Sequence, residues 1–419
     1  MLETLRGAFR IPDLRRRILF TLAMLVVFRL AAHIPVPGVN RAAISQLISG
    51  GTLFGFLDLI SGGALKNFTV VAMGIMPYIN ASIIIQLLTV VFPALEKLAK
   101  EGEEGRRKMT QYTRYSTVAL ALIQAVGTSV GLRGYIYDYS VWSVLLIALT
   151  LTSGTIFVMW LGEMITDRGI GNGISLLIFF GIVARYPSYL GEAYKYLTAG
   201  TLSFFVFIIV AVVVVAVIGL VVLITEGERR LPVQYAKRVV GRKVYGGQST
   251  HLPIKVNQAG VMPIIFASSI LAMPATVAQF NPAAGWALWV NRYFGFSSLF
   301  YLVAYPLLIL FFTFFYTAIT YNPSEISDNI KKYGGFIPGF RPGRPTTDYL
   351  SRVITRLTFP GALFLAFIAM LPYLIAYISK VSSWQFGGTS LLIVVGVALE
   401  TMKQIEAQMM MRHYQGFMK

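Results

Sequence analysis

The stretch Gly74-Ile75-Met76-Pro77-Tyr78-Ile79-Asn80-Ala81-Ser82-Ile83-Ile84 returns, with changes, as Gly260-Val261-Met262-Pro263-Ile264-Ile265-Phe266-Ala267-Ser268-Ser269-Ile270, with seven of eleven positions identical. A second stretch behaves the same way. Gly173-Ile174-Ser175-Leu176-Leu177-Ile178-Phe179-Phe180-Gly181 matches Gly388-Thr389-Ser390-Leu391-Leu392-Ile393-Val394-Val395-Gly396 at six of nine positions. Either match alone is within reach of chance among apolar letters. Both together, in the same order along the chain, mark an internal duplication.

Both repeats lie inside long apolar runs. A membrane helix needs about 20 largely apolar residues, and ten such runs can be read, at 18–34, 69–92, 115–131, 141–161, 170–184, 203–224, 259–278, 299–320, 357–377 and 386–399. The fifth and tenth are short, so their ends must extend into flanking polar residues. Of all the charged side chains only Arg29 falls inside a run, as expected when each charge at a bilayer centre costs roughly 2.5–3.5 kcal/mol. The repeats occupy the second and seventh runs and the fifth and tenth. Each half therefore holds five spans. Five is odd, so the second half enters the membrane upside down, and the halves are related by a pseudo-two-fold axis in the membrane plane. The expected fold is an all-α polytopic membrane protein, ten helices in two inverted halves. The first half covers 1–184, an external connection 185–202, and the second half 203–419.

Composition agrees. The chain has 419 residues, 56% hydrophobic and 13% charged, with 36 Lys and Arg against 18 Asp and Glu. That much apolar content excludes disorder, and the absence of Cys excludes disulfides and thiol chemistry. The loops sort by charge. One alternating set, including both ends, carries 28 basic residues and the other carries 7, which places both termini in the cytoplasm. The basic front and apolar core of the first run look like a signal peptide, but nine more spans follow, so it reads as a retained first helix.

The aligned repeats supply four isoleucines, Ile79 with Ile265 and Ile178 with Ile393. Ile75 and Ile174 lie one helical turn before Ile79 and Ile178 and share their faces. If these faces meet at the axis they form an apolar ring; the plainer reading is lipid contact or ordinary helix packing. Residues 53–65 rise only about 20 Å as a helix, too short for a core of about 30 Å. They fit either a re-entrant half-helix sealing a cavity or an interfacial helix lying on lipid. The loops 93–114, 225–258 and 321–356 are basic and Gly-rich. They can grip RNA phosphates or an acidic protein partner, although topology alone also makes such loops basic.

No catalytic constellation is present. Gly169-Ile170-Gly171-Asn172-Gly173 lacks the preceding strand of a dinucleotide site, and three scattered His offer little for metal or base chemistry. No cofactor is expected. An ion-coupled small-solute transporter also uses inverted repeats, but such proteins usually carry ionisable groups within their spans, and here the spans contain no acid.

Longer runs carry a family resemblance. Gly74 to Ile79, Glu101-Gly102-Glu103-Glu104-Gly105-Arg106-Arg107-Lys108 with Gln111 to Arg114, Asp167 to Ser175, Gln248 to Asn257 and Pro338 to Gly343 all resemble the bacterial SecY family, over essentially the whole chain. The resemblance implies a protein-conducting channel of the bacterial cytoplasmic (inner) membrane. Such a channel moves unfolded secretory chains across the membrane and membrane helices sideways into it. It implies an apolar pore ring of Ile75, Ile79, Ile174, Ile178, Ile265 and Ile393 at the waist of an hourglass, and a plug containing Phe54, Gly55, Phe56, Leu57, Asp58, Leu59 and Ile60. It implies a lateral gate between the second/third and seventh/eighth spans, with Gln86 and Asn172 as polar positions near the gate and inner funnel. Docking of the SecA motor or the ribosome would fall to Arg106, Arg107, Lys237, Arg238, Arg242, Lys243, Arg341 and Arg344. Other implied partners are the small membrane subunits SecE and SecG, signal sequences, nascent chains and lipids. One departure is Arg242-Lys243, where the family has two arginines; a Lys holds phosphate less well than a bidentate Arg.

Overall fold

The computed structural model describes residues 7–49, 58, 61–200, 203–235, 238–240, 243–245, 249–278, 281, 284–295, 298–379 and 388–416. Its body is helical. The first half contains α1 (Pro12–Ala31), α2 (Arg41–Ser49), α3 (Met76–Val91), α4 (Pro93–Lys100), α5 (Glu103–Gly131), α6 (Val141–Arg168) and α7 (Gly173–Val183). Then come α8 (Tyr186–Thr198) and α9 (Phe204–Glu226). Strands β1 (Glu228–Tyr235), β2 (Arg238–Val240), β3 (Lys243–Tyr245) and β4 (Ser249–Lys255) precede α10 (Met262–Ala278). The chain continues through α11 (Gly285–Phe294), α12 (Leu299–Thr320), α13 (Pro323–Lys332), β5 (Gly335–Phe336), α14 (Arg344–Ser379) and α15 (Gly388–Gly416).

Among the described residues, five helical segments are long and apolar enough to span a bilayer unaided: Val141–Arg168, Gly173–Thr198, Phe204–Glu226, Leu299–Lys332 and Arg344–Ile375. The other five expected spans are also helices, α1, α3, α5, α10 and α15, but shorter or with a charged end. The duplication reappears in the packing. In the first half α3 packs on α5, α5 on α6, α6 on α7, and α1 on both α6 and α7. In the second half α10 packs on α12, α12 on α14, α14 on α15, and α9 on both α14 and α15. The same five pairings in the same order are what two copies of one five-helix unit produce. The units meet where their sequences match: α3 touches α10, and α7 touches α15.

Several boundaries differ from the sequence reading. The second run was expected to be helical from 69, yet residues 61–75 form turns and the helix starts at Met76. The reason is Gly74, whose φ of +56° is left-handed and breaks the helix before it starts. At the other end α3 bends by 105° into α4, where Pro93 follows Phe92 and removes a helix donor. The expected connection 185–202 contains the 13-residue α8, which prolongs the short fifth span.

The long loops are folded. β1 pairs antiparallel with β4, from Glu228↔Lys255 to Gln234↔Ser249, and its other edge takes β5 through Gln234↔Phe336. β1 alternates, turning Leu231 and Val233 inward. There they join Ile254, Ile337, Leu350, Val353 and Ile354 in a small apolar core of their own. β1, β4, β5 and the first turns of α14 thus form one compact unit that joins the two long loops.

Candidate functional site: an apolar waist and its surroundings

The six isoleucines belong to the large apolar core that runs through most of the long helices, together with many other residues. Ile75, Ile79, Ile178, Ile265 and Ile393 are buried, and the half-buried Ile174 packs against that core. Ile79, Ile174 with Ile178, Ile265 and Ile393 come from α3, α7, α10 and α15, whose contacts help join the halves, and Ile75 directly precedes α3. Local geometry fixes their placement. Ile75 is the residue before α3, and its carbonyl accepts the Ile79 amide at 3.1 Å; in the second half the Val261 carbonyl accepts the Ile265 amide at 3.3 Å. Both helices therefore start at matched points in the repeat. Asn172 caps α7, its Oδ1 accepting the amides of Ile174 and Ser175 at 3.1 and 3.3 Å. This exposed side chain fixes the start of the helix that carries Ile174 and Ile178. Gln86 is half-buried and turned along its own helix, donating from Nε2 to Ser82 Oγ at 3.1 Å.

Of the expected plug residues, Asp58 is described; Phe54, Gly55, Phe56, Leu57, Leu59 and Ile60 lie outside the described residues. Asp58 is buried and ion-paired, its Oδ2 2.5 Å from Arg185 Nη1. Its Oδ1 accepts the Lys66 amide at 2.6 Å. Arg29 donates from Nη1 to the Gly62 carbonyl at 2.9 Å. Sequence reading missed both arginines as partners of this segment. Arg29 carried a signal, since it is the one charge inside an apolar run. Arg185 carried none, because 127 positions separate it from Asp58.

A cavity opens between α3, α5 and α10, lined in part by Met73, Met76, Asn80, Gln124, Ser269 and Met273. Asn80 Oδ1 and Ser269 Oγ are buried and find no hydrogen-bond partner among the described residues. Two buried polar atoms at the seam between the second and seventh spans thus lack a partner among the described residues. The apolar letters around Asn80 and Ser269 gave no reason to single them out.

The expected docking residues sort into two groups. Arg106 and Arg107 are exposed on the first turns of α5, and Arg341 and Arg344 are exposed at the tip of the folded loop unit. That tip is rigidly built. Phe340 stacks on Tyr349 with ring centroids 4.1 Å apart, Thr346 Oγ1 donates to the Arg341 carbonyl at 2.8 Å, and Ser327 Oγ donates to the Gly343 carbonyl at 3.1 Å. Arg238 and Lys243 lie on the β2–β3 hairpin, paired Arg238↔Tyr245 and Val240↔Lys243. Lys237 and Arg242 lie outside the described residues. Arg114 at the same end of the body is held in an ion pair, its Nε 2.7 Å from Glu163 Oε1, which ties α5 to α6.

Comparison with known proteins adds a family. The SecY family model matches residues 69–402. The protein translocase subunit SecY of Streptomyces scabiei is 50% identical over the full length of both chains. That of Halalkalibacterium halodurans is also 50% identical over the full length of both. Among solved structures, one described as a protein conducting channel superposes with a TM-score of 0.67 at 20% identity, over 94% of this chain and 92% of that one. Sec61 from a canine ribosome-channel complex gives 0.63 at 19% identity, with the same coverage. At such identities the structural likenesses speak for the fold.

Proposed function

The chain belongs to the SecY family, and from that premise we propose that it is the channel through which unfolded polypeptides cross the cytoplasmic membrane, and from which membrane helices pass sideways into lipid. The observation that carries the reading is that the helices bearing the repeat-matched isoleucines are the ones that join the two copies, α3 to α10 and α7 to α15, and that all six isoleucines belong to the apolar core they share. An idle channel must stop ions and still admit a chain. Charged side chains at the narrowest point would hold water there; isoleucines dewet it and yield around an incoming peptide. Burial is worth roughly 1.5–3 kcal/mol per isoleucine, so a closed ring stores several kcal/mol that opening must offset.

Two features supply that offset. A signal sequence inserts its apolar core at the lateral gate, between α3/α5 on one side and α10/α12 on the other. The unsatisfied seam at Asn80 and Ser269 supports placing the gate there. Docking supplies the rest, through the basic residues Arg106, Arg107, Lys237, Arg238, Arg242, Lys243, Arg341 and Arg344, to an ATPase motor such as SecA or to ribosomal RNA. The segment around Asp58 is the plug. SecE and SecG are the expected membrane partners. Both termini and the folded loop unit face the cytoplasm.

Because the chain has no Cys, Ile79→Cys, Ile178→Cys, Ile265→Cys and Ile393→Cys each introduce a unique thiol. All four should crosslink to one stalled secretory chain. Crosslinks that fail at all four positions, with the stalled chain bound, refute the ring.

A further inference from the structure

We propose that α11 is a lipid anchor, lying in the headgroup region of the leaflet opposite the folded loop unit and binding phospholipid through its aromatic face. α10 follows β4 and ends at Ala278, while α12 leads back to α13 and β5. The helix between them, Gly285–Phe294, therefore sits at the end of both spans that is remote from the loop unit. It packs on α10 and on α12, and Ala287 is wholly buried.

Its exposed side has a definite chemistry. Trp286, Trp289 and Tyr293 recur at the i, i+3, i+7 spacing that puts side chains on one helix face. They are 47%, 56% and 43% exposed, so the body of the protein covers only about half of each. The Trp289 and Tyr293 rings lie 4.9 Å apart and form a continuous surface. Asn291 and Arg292, both exposed, fall on the opposite side of the helix, with Leu288 between them. A helix with an aromatic face and a polar back is built to lie in the plane of a bilayer surface. Trp and Tyr favour that depth, where an apolar ring and a polar tip are both satisfied.

The neighbouring helix identifies what covers the face. On α12 Phe300, Val303, Leu307, Phe311 and Phe314 are exposed at helical spacing, along a segment long and apolar enough to span a bilayer. Phe294, the last residue of α11, packs on Phe300 at the start of that stripe, with ring centroids 4.9 Å apart, and lies 6.4 Å from the Trp289 ring. Exposed apolar faces mark membrane or protein contact, and the join to α12 selects lipid. The aromatic face continues, at headgroup level, a surface that meets lipid tails. The anchor then fixes the depth of α10 and α12, one wall of the gate, a consequence that rests on the channel reading above.

Tryptophan emission tests the placement. The full chain and a variant carrying Trp286→Phe and Trp289→Phe are reconstituted in vesicles of phosphatidylcholine and phosphatidylglycerol, and the difference between their emissions isolates α11. That difference should lose more intensity in lipid brominated near the headgroup than in lipid brominated at the chain ends, and iodide in the water should quench it little. Strong quenching by iodide overturns the anchor in favour of a helix in water, and quenching by neither agent overturns it in favour of a covering protein. A thiol test needs no fluorescence, because the chain has no Cys. Asn291→Cys should react with a charged maleimide in vesicles, whereas Trp289→Cys should react only after detergent is added. Equal reaction at the two positions also overturns the anchor. Neither measurement involves translocation, so each stands or falls apart from the channel reading.

Discussion

Gly74 and Gly260 occupy matched positions in the two copies of the repeat and share a left-handed backbone, with φ of +56° and +61°. Each stops the chain two residues before its helix, at Met76 and Met262, so Ile79 and Ile265 fall on the same turn in their respective copies. The two glycines set where each helix begins.

This leads to the first prediction. A Cβ at Gly260 would meet nothing within 4 Å, and one at Gly74 only Ser61 at ordinary contact distance. The cost of Gly74→Ala or Gly260→Ala is therefore backbone strain alone, about 1–2 kcal/mol each. Equilibrium unfolding of the full chain in detergent should show both losses and their near-additivity.

Asn172→Ala should remove the cap of α7 and destabilise it by about 0.5–2 kcal/mol. Hydrogen exchange at the amides of Ile174 and Ser175 should quicken, whereas Asn172→Asp, which keeps the acceptor, should leave it slow. Equal exchange in all three chains would mean that the cap does not hold the helix start.

Much of this was legible in the letters. The apolar runs, the exclusion of charge and the duplication pointed to a helical membrane protein and to the matched helices that touch, α3 with α10 and α7 with α15, because hydrophobic periodicity and repeat identity are local properties of sequence. The sheet in the long loops was readable in hindsight from the alternation of Leu231 and Val233 in β1. What stayed hidden depends on distance along the chain. Asp58 and Arg185 come together only through the fold, and the unsatisfied Asn80 and Ser269 are ordinary letters until α3 and α10 are placed side by side. The late start of α3 was missed because Gly74 looks like any membrane glycine until its φ is known.

Arg341→Glu should abolish motor-driven secretion without disturbing the fold. Arg341 is exposed, and its part in the loop tip is played by its backbone carbonyl, so unfolding should change by less than about 0.5 kcal/mol. Normal secretion by this variant would remove the tip from the docking surface.

The central claim is that isoleucines at the waist seal the idle pore, and resting conductance in planar bilayers tests it most directly. Ile79→Asn and Ile265→Asn each replace a buried branched chain with a hydrated amide. Losing about 1.5–3 kcal/mol of burial shifts the closed-to-open ratio by roughly tenfold to a hundredfold. Both variants should leak ions with no substrate present, and the double variant should leak more. Resting conductance indistinguishable from that of the unaltered chain would contradict the seal.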